Sequence, residues 1–198
     1  MNLPRQLLTA FLVIVVLTVL TGLVYPLAMT GIAQALFPGR ADGSLVHDNK
    51  GNTVGSSLIG QNFAGPQYFH PRPSAAGSNG YDATSSGASN LGPTNQKLIN
   101  AVAERAAAYR KENGLAADVP VPVDAVTASA SGLDPDISLA NADLQVARVS
   151  AARRISPDAV RALVKEHTHG RTLGIFGEPR VNVLELNMAL DDVAETLQ

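Results

Sequence analysis

The hydrophobic positions divide the chain into two regimes. From Gln6 to Gly39 no residue is charged, and Leu7–Val24 reads LLTAFLVIVVLTVLTGLV. Such a run matches the roughly 20 residues that cross a hydrocarbon core as a helix. Ala33-Gln34-Ala35 resembles a signal cleavage site, but the apolar stretch exceeds the about 7–15 residues of a signal h-region. A retained transmembrane helix is therefore expected within residues 1–38. Arg5 and the amino terminus stand against Arg40, which Asp42 partly offsets. That balance predicts a short cytoplasmic N-terminus and export of residues 39–198. Pro26 predicts a kink or a local loosening. Gly22, Ala28, Gly31 and Ala35 either admit a second helix closely or are ordinary span composition.

Past residue 39 the pattern breaks into short periodic pieces. SLVHDNKGNTVGSSLIG reads as a hairpin, with DNKGN as its turn. Leu98, Val102, Ala106 and Tyr109 share one face of a helix expected from a Thr94 cap through Asn113 and ended by Gly114. ADVPVPVDAV reads as an extended, proline-stiffened connector. Ser138 caps a helix carrying Ala142, Val146 and Val149. Ser156 caps another, with Pro157 in the favoured first position and Val160, Leu163, Val164 and His167 along it, stopped by Gly170. TLGIF is expected as a strand. Asn182 with Glu185 forms a capping-box-like start for a helix bearing Leu186, Leu190, Val193 and Leu197. Together these predict a single N-terminal transmembrane helix followed by one extracytoplasmic α+β domain.

Charge changes this picture by exclusion. Only 16% of the 198 residues are charged and the formal net charge is −2, so no nucleic-acid partner is expected. The absence of cysteine excludes disulfides, thiolate metal sites and cysteine nucleophiles. Between Lys50 and Lys97 the only formal charges are Arg72 and Asp82, yet Phe63, Tyr68, Phe69 and Tyr81 fall there, which argues for packed loops rather than a disordered linker.

Candidate chemistry is sparse. There is no G-x-x-x-x-G-K-[ST] cradle for phosphates. SSGASN (Ser85–Asn90) has the composition of a small anion nest but reads more simply as a turn-rich loop. His167 and His169 lie two apart, which does not place both rings on one helix face, so with Glu166 they make a weak metal set. No metal ligands or catalytic residues are assigned. Asp134-Pro135 is a turn dipeptide, and Asp136 precedes the Ser138 cap, where negative charge suits a helix N-terminus. Glu178 and Arg180 are expected to pair locally in the lead-in to the last helix.

Five blocks in order carry a resemblance: TGLVYPLAMTGIAQALFP, GSSLIGQNFAGPQYFHPRPSA, SSGASNLGPTN, TASASGLDPDISLANADLQVARVSAAR and LVKEHTHGRTLGIFGEPRVNVLELNMALD. The chain resembles the C subunit of the bacterial Kdp potassium-transporting ATPase. The resemblance implies a subunit that is not catalytic by itself, belonging to a high-affinity ATP-driven potassium uptake pump of the inner membrane. Its implied partners are a channel-like potassium-translocating subunit, a P-type ATP-hydrolysing subunit and the lipid bilayer. ATP and potassium would be handled by the complex rather than held here as cofactors. Two family roles are implied, a catalytic chaperone that raises ATP affinity of the P-type subunit and an extracytoplasmic stabiliser or ion-entrance element.

The motif or interface candidates are Gln61, Phe63, Tyr68, Arg72, Tyr81, Ser86, Asn90 and Pro93 in the loops. Further along they are Asp134, Pro135, Asp136, Ser138, Arg148, Arg171, Glu178 and Arg180. The family usually shows Asp-Pro-His-Ile-Ser where this chain has Asp134-Pro135-Asp136-Ile137-Ser138, so a role needing imidazole at 136 is not expected here. The alternatives are a membrane-anchored hydrolase using His167 or His169 with an aspartate, and a ligand-binding domain built on the loop from Phe63 to Tyr81.

Overall fold

The computed structural model describes residues 2–196, and the chain divides into two compact units, Met1–Leu45 and Val46–Gln198. In the first, α1 (Leu3–Val19) runs through a π-helical turn, Leu20–Val24, into α2 (Tyr25–Leu36). The result is one apolar helix of 34 residues, Leu3–Leu36, long enough to cross a bilayer. The expected loosening sits directly before Pro26. Proline has no N–H for the Gly22 carbonyl and its ring crowds that group, so the backbone widens and the Tyr25 N–H reaches the Leu20 carbonyl. A single turn, α3 (Pro38–Ala41), follows.

The second unit is α+β. The expected hairpin forms from β1 (Leu45–His47) and β2 (Thr53–Ser56), closed by Asp48, whose carboxylate accepts the Lys50 and Asn52 N–H groups. Farther along come α4 (Gln96–Glu112), α5 (Val123–Val126), β3 (Asp136–Ser138), α6 (Leu139–Arg153), α7 (Pro157–Glu166), β4 (Thr168–His169), β5 (Arg180–Asn182) and α8 (Val183–Thr196). The strands form an antiparallel sheet in the order β3-β5-β4, with Ile137 and Thr168 both opposite Val181. Each long strand feeds a helix without a loop, β3 into α6 and β5 into α8. One core lies beneath. Ile137 and Val181 of the sheet meet Ala142, Val146 and Val149 of α6, Val160 and Val164 of α7, Leu186 and Leu190 of α8, and Phe69 of the long loop.

Four expectations change. Asn95, not Thr94, caps α4, because its side chain accepts the Lys97 N–H. The connector opens on a turn, in which the Val119 N–H donates to the Ala116 carbonyl, and after Pro122 the chain coils into α5, which carries Asp124. Helix α7 ends at Glu166, four residues before Gly170, because His167 and the β4 residues leave helical geometry there. TLGIF is a tight turn bridged between Thr172 and Phe176 rather than a strand, since Leu173, Gly174 and Gly177 adopt positive φ. Leu197 lies outside the described residues.

Candidate functional site

The site begins with how the aromatic loop is held. Phe69 is fully buried, and its peptide groups are met by one side-chain amide. Asn187 Oδ1 accepts the Phe69 N–H at 2.8 Å while Asn187 Nδ2 donates to the Phe69 carbonyl at 2.9 Å. Gln145 treats the next residue alike: Oε1 accepts the His70 N–H at 2.7 Å and Nε2 donates to the His70 carbonyl at 3.1 Å. A carboxamide carries a donor and an acceptor side by side, as a peptide does, so α6 and α8 each substitute for a neighbouring strand. Arg148 completes the clamp, donating to the Pro66 and Tyr68 carbonyls, Asn113 Oδ1 and Gln145 Oε1. Burial lowers the Arg148 pKa from its ordinary value. The Tyr68 ring packs 5.4 Å from Phe63 and lies under the Arg153 guanidinium at 5.0 Å.

At the far end of this loop Arg72 reaches the segment before β3. Arg72 Nη1 lies 2.7 Å from Asp134 Oδ2, and Asp134 Oδ1 accepts the Asp136 N–H at 3.0 Å. Tyr81 donates its hydroxyl to the Arg72 carbonyl, and burial raises its pKa. The Gly60 N–H donates to the Leu133 carbonyl at 2.8 Å, and a Cβ at Gly60 would stand 2.5 Å from the Asp134 carbonyl oxygen, so only glycine permits this approach. On β3, Asp136 Oδ2 meets Arg180 Nε of β5 at 2.8 Å. Burial raises the Asp136 pKa, with Arg180 opposing and Asp134 adding to the shift. The Pro135 carbonyl accepts the Val183 N–H. Ser138 accepts the Asn141 N–H as the cap of α6 and donates its hydroxyl to Asp124 Oδ1 at 2.9 Å.

These groups line one cleft of about 290 Å³, with walls from Arg72, Asp124, Asp134, Asp136, Ser138, Glu178 and Arg180. Six of the expected residues therefore converge. Glu178 and Arg180 do not pair with each other as expected: Glu178 takes Arg171 at 2.7 Å and Arg180 takes Asp136. Glu178 lies before β5 and closes the turn onto Arg171, while Arg180, the first residue of β5, faces Asp136 of the neighbouring strand β3.

The other candidates lie elsewhere. Phe63, Arg72 and Tyr81 border a second groove of about 370 Å³ beside the His70–Glu112 pair, in which Nδ1 and Oε1 lie 3.0 Å apart. Gln61 donates to the Val54 carbonyl. Ser86 donates to the Ser131 carbonyl, and the Gly87 N–H goes to that same oxygen, which consumes a donor of the supposed anion nest. Asn90 has φ +52°, and Pro93 sits in the turn before α4. His167 is the C-cap of α7, while His169 faces Glu185 at 3.4 Å, so the two imidazoles serve different neighbours.

Asp124, Asn141, Gln145 and Asn187 had not been singled out. A usable signal existed for three. Asn141 and Gln145 sit four apart on the apolar stripe of α6, and Asn187 interrupts the stripe of α8, so each is a polar residue at a core position. Asp124 gave none, because its partners lie 14 and 17 residues away.

The family model described as the c chain of the K+-transporting ATPase, KdpC, matches residues 7–192. The chain is 58% identical over 187 residues to the potassium-transporting ATPase KdpC subunit of Mycobacterium tuberculosis strain H37Rv, covering 94% of this chain and 98% of that protein. It is 55% identical over 188 residues to the subunit of the same name from Koribacter versatilis, covering 94% of each. The Gemmatimonas aurantiaca protein of that name is 52% identical over 192 residues, covering 97% of this chain and 95% of its own.

Proposed function

The chain belongs to the KdpC family, the c chain of K+-transporting ATPases, and from that premise we propose that its α+β domain is an assembly element acting at the ion entrance of the pump. The family is an accessory subunit, distinct from the catalytic P-type subunit. In this reading Leu3–Leu36 anchors the chain with its N-terminus in the cytoplasm, and the domain stands on the extracytoplasmic side of the inner membrane. There it joins a channel-like potassium-translocating subunit to the P-type ATP-hydrolysing subunit, stabilises the complex and controls potassium entry.

The observation that carries this reading is the pairing inside the cleft. Asp134 spends both oxygens, on Arg72 and on the Asp136 backbone, and Asp136 is matched by Arg180. A general acid or base needs a carboxyl free to exchange its proton with a substrate. These carboxylates are committed to shaping a surface instead. The Gly87 amide already has a carbonyl partner, which leaves the Ser85–Asn90 loop one donor fewer for a phosphate. In this reading an effect on ATP affinity is indirect.

Affinity purification of the full-length chain in mild detergent from potassium-starved cells tests the reading. The expected result is recovery with the larger pump subunits and potassium-stimulated ATP hydrolysis in the same preparation. Recovery only as a free monomer would overturn it.

A further inference from the structure

The turn that replaces the expected TLGIF strand places large apolar side chains where the core cannot use them. Leu173 is 83% exposed, Ile175 72% and Phe176 63%. The turn is nonetheless tightly built. The Thr172 and Phe176 N–H groups donate to each other's carbonyls at 2.9 and 3.0 Å, and the Gly174 N–H donates to the Arg171 carbonyl at 3.0 Å. Arg171 and Glu178 close its base at 2.7 Å. Leu173 itself has φ +56°, a left-handed conformation that a γ-branched residue rarely takes. The fold thus holds three apolar side chains outward on a preorganised tip, which lowers the ordering cost of binding.

The flanking charge says what kind of surface this tip fits. Arg171 is matched by Glu178, Arg180 by Asp136, and His169 faces Glu185. A loop that enters lipid usually adds free lysine or arginine for anionic headgroups. Here both arginines of the turn are already answered, and Lys165, which borders a groove with Gly170 and Pro179, is a single cation rather than a basic cluster. The tip is also continuous with the charged cleft, because Glu178, Pro179 and Arg180 form part of the cleft wall. An apolar anchor beside a polar rim is the anatomy of a protein–protein interface.

We propose that Leu173, Ile175 and Phe176 are the apolar anchor by which this domain docks into an apolar pocket on another subunit of the K+-transporting ATPase, with the Asp134–Arg180 cleft as the rim of the same interface. This rests on the reading of the chain as a pump subunit. The cleft wall sets four carboxylates (Asp124, Asp134, Asp136, Glu178) against two arginines (Arg72, Arg180), so the partner pocket is apolar and bordered by hydrogen-bond donors or cationic groups.

The test places a photoreactive p-benzoylphenylalanine at position 176 of the full chain, produced together with the other pump subunits and irradiated in native membranes. The same group at position 104, on the exposed face of α4, is the control. The expected result is a covalent adduct from 176 with the mass of one pump subunit, and none from 104. Adducts to lipid alone, or no adduct from 176, overturn the anchor. A second arm uses the Leu173→Ser, Ile175→Ser, Phe176→Ser variant, whose exposed positions leave the melting temperature unchanged. Partner recovery should fall about tenfold or more, and undiminished recovery overturns the proposal. If the unsubstituted chain recovers no pump subunit, the subunit reading itself fails; if it does and 176 gives no adduct, only the anchor fails.

Discussion

Asn187 and Gln145 stand among aliphatic neighbours and satisfy the peptide groups of Phe69 and His70 from the side. Asn187→Ala leaves a buried N–H and carbonyl without partners, and should cost about 2–4 kcal/mol of stability. Urea unfolding of the full chain in detergent measures it, and a loss below about 0.5 kcal/mol would refute the clamp. Asn187→Leu should not rescue, since an apolar side chain restores volume but not the hydrogen bonds. Asp136 acts through pH. Its folded pKa is raised above the ordinary 3.8, so the folded state binds that proton more tightly than the unfolded chain. Its contribution therefore favours the fold below 3.8 and declines as pH rises through the raised value. Asp48 and Asp82 have lowered values from local hydrogen bonds, so their contributions are present above 3.8 and disappear as pH falls below it. Asp136→Asn should remove the decline above 3.8 and leave the low-pH loss in place, as read from unfolding midpoints across pH.

At the scale of elements, caps were the most readable signal. Ser138, Ser156 and Asn182 each accept the backbone N–H three residues on, as their positions before apolar stripes predicted. Ser138→Ala should cost about 1–2 kcal/mol in urea unfolding, because the Asn141 N–H loses its acceptor and Asp124 loses a donor. Thr94 and Asn95 are both good caps, and only the structure decides between them. The hairpin of β1 and β2 was legible from its turn, but the strands of the three-stranded sheet, β3, β4 and β5, were not. At two or three residues each they are too short to show an alternating pattern, and β3 and β5 lie in what reads as helix lead-in. TLGIF misled for the opposite reason: β-prone residues occupy a turn whose shape is set by three positive-φ positions. Pro26 makes a prediction in the membrane helix. Pro26→Ala restores a donor for the Gly22 carbonyl and should convert the Leu20–Val24 π-turn to regular α-helix, seen as an amide at position 26 protected from hydrogen exchange. A freely exchanging amide there would contradict the assignment.

At the scale of the whole molecule, family membership is carried by local motifs and the cleft by long-range contacts. The ordered motif blocks were enough to place the chain in its family, and six of the singled-out residues meet in one cleft. The pairing inside that cleft was hidden, because Arg72 finds Asp134 across 62 residues and Arg180 prefers Asp136 to its near neighbour Glu178. Local spacing carries no record of such long-range closure. Those pairs support the proposed scaffolding role, since a carboxylate held by an arginine and a backbone N–H is not free to shuttle protons. The most direct measurement uses the Asp134→Asn variant in the detergent-purified pump, with potassium-stimulated ATP hydrolysis expressed per assembled complex. The expected result is less complex recovered but unchanged activity in each complex that forms. An intact complex that has lost its potassium-dependent activity would contradict a structural role for the cleft.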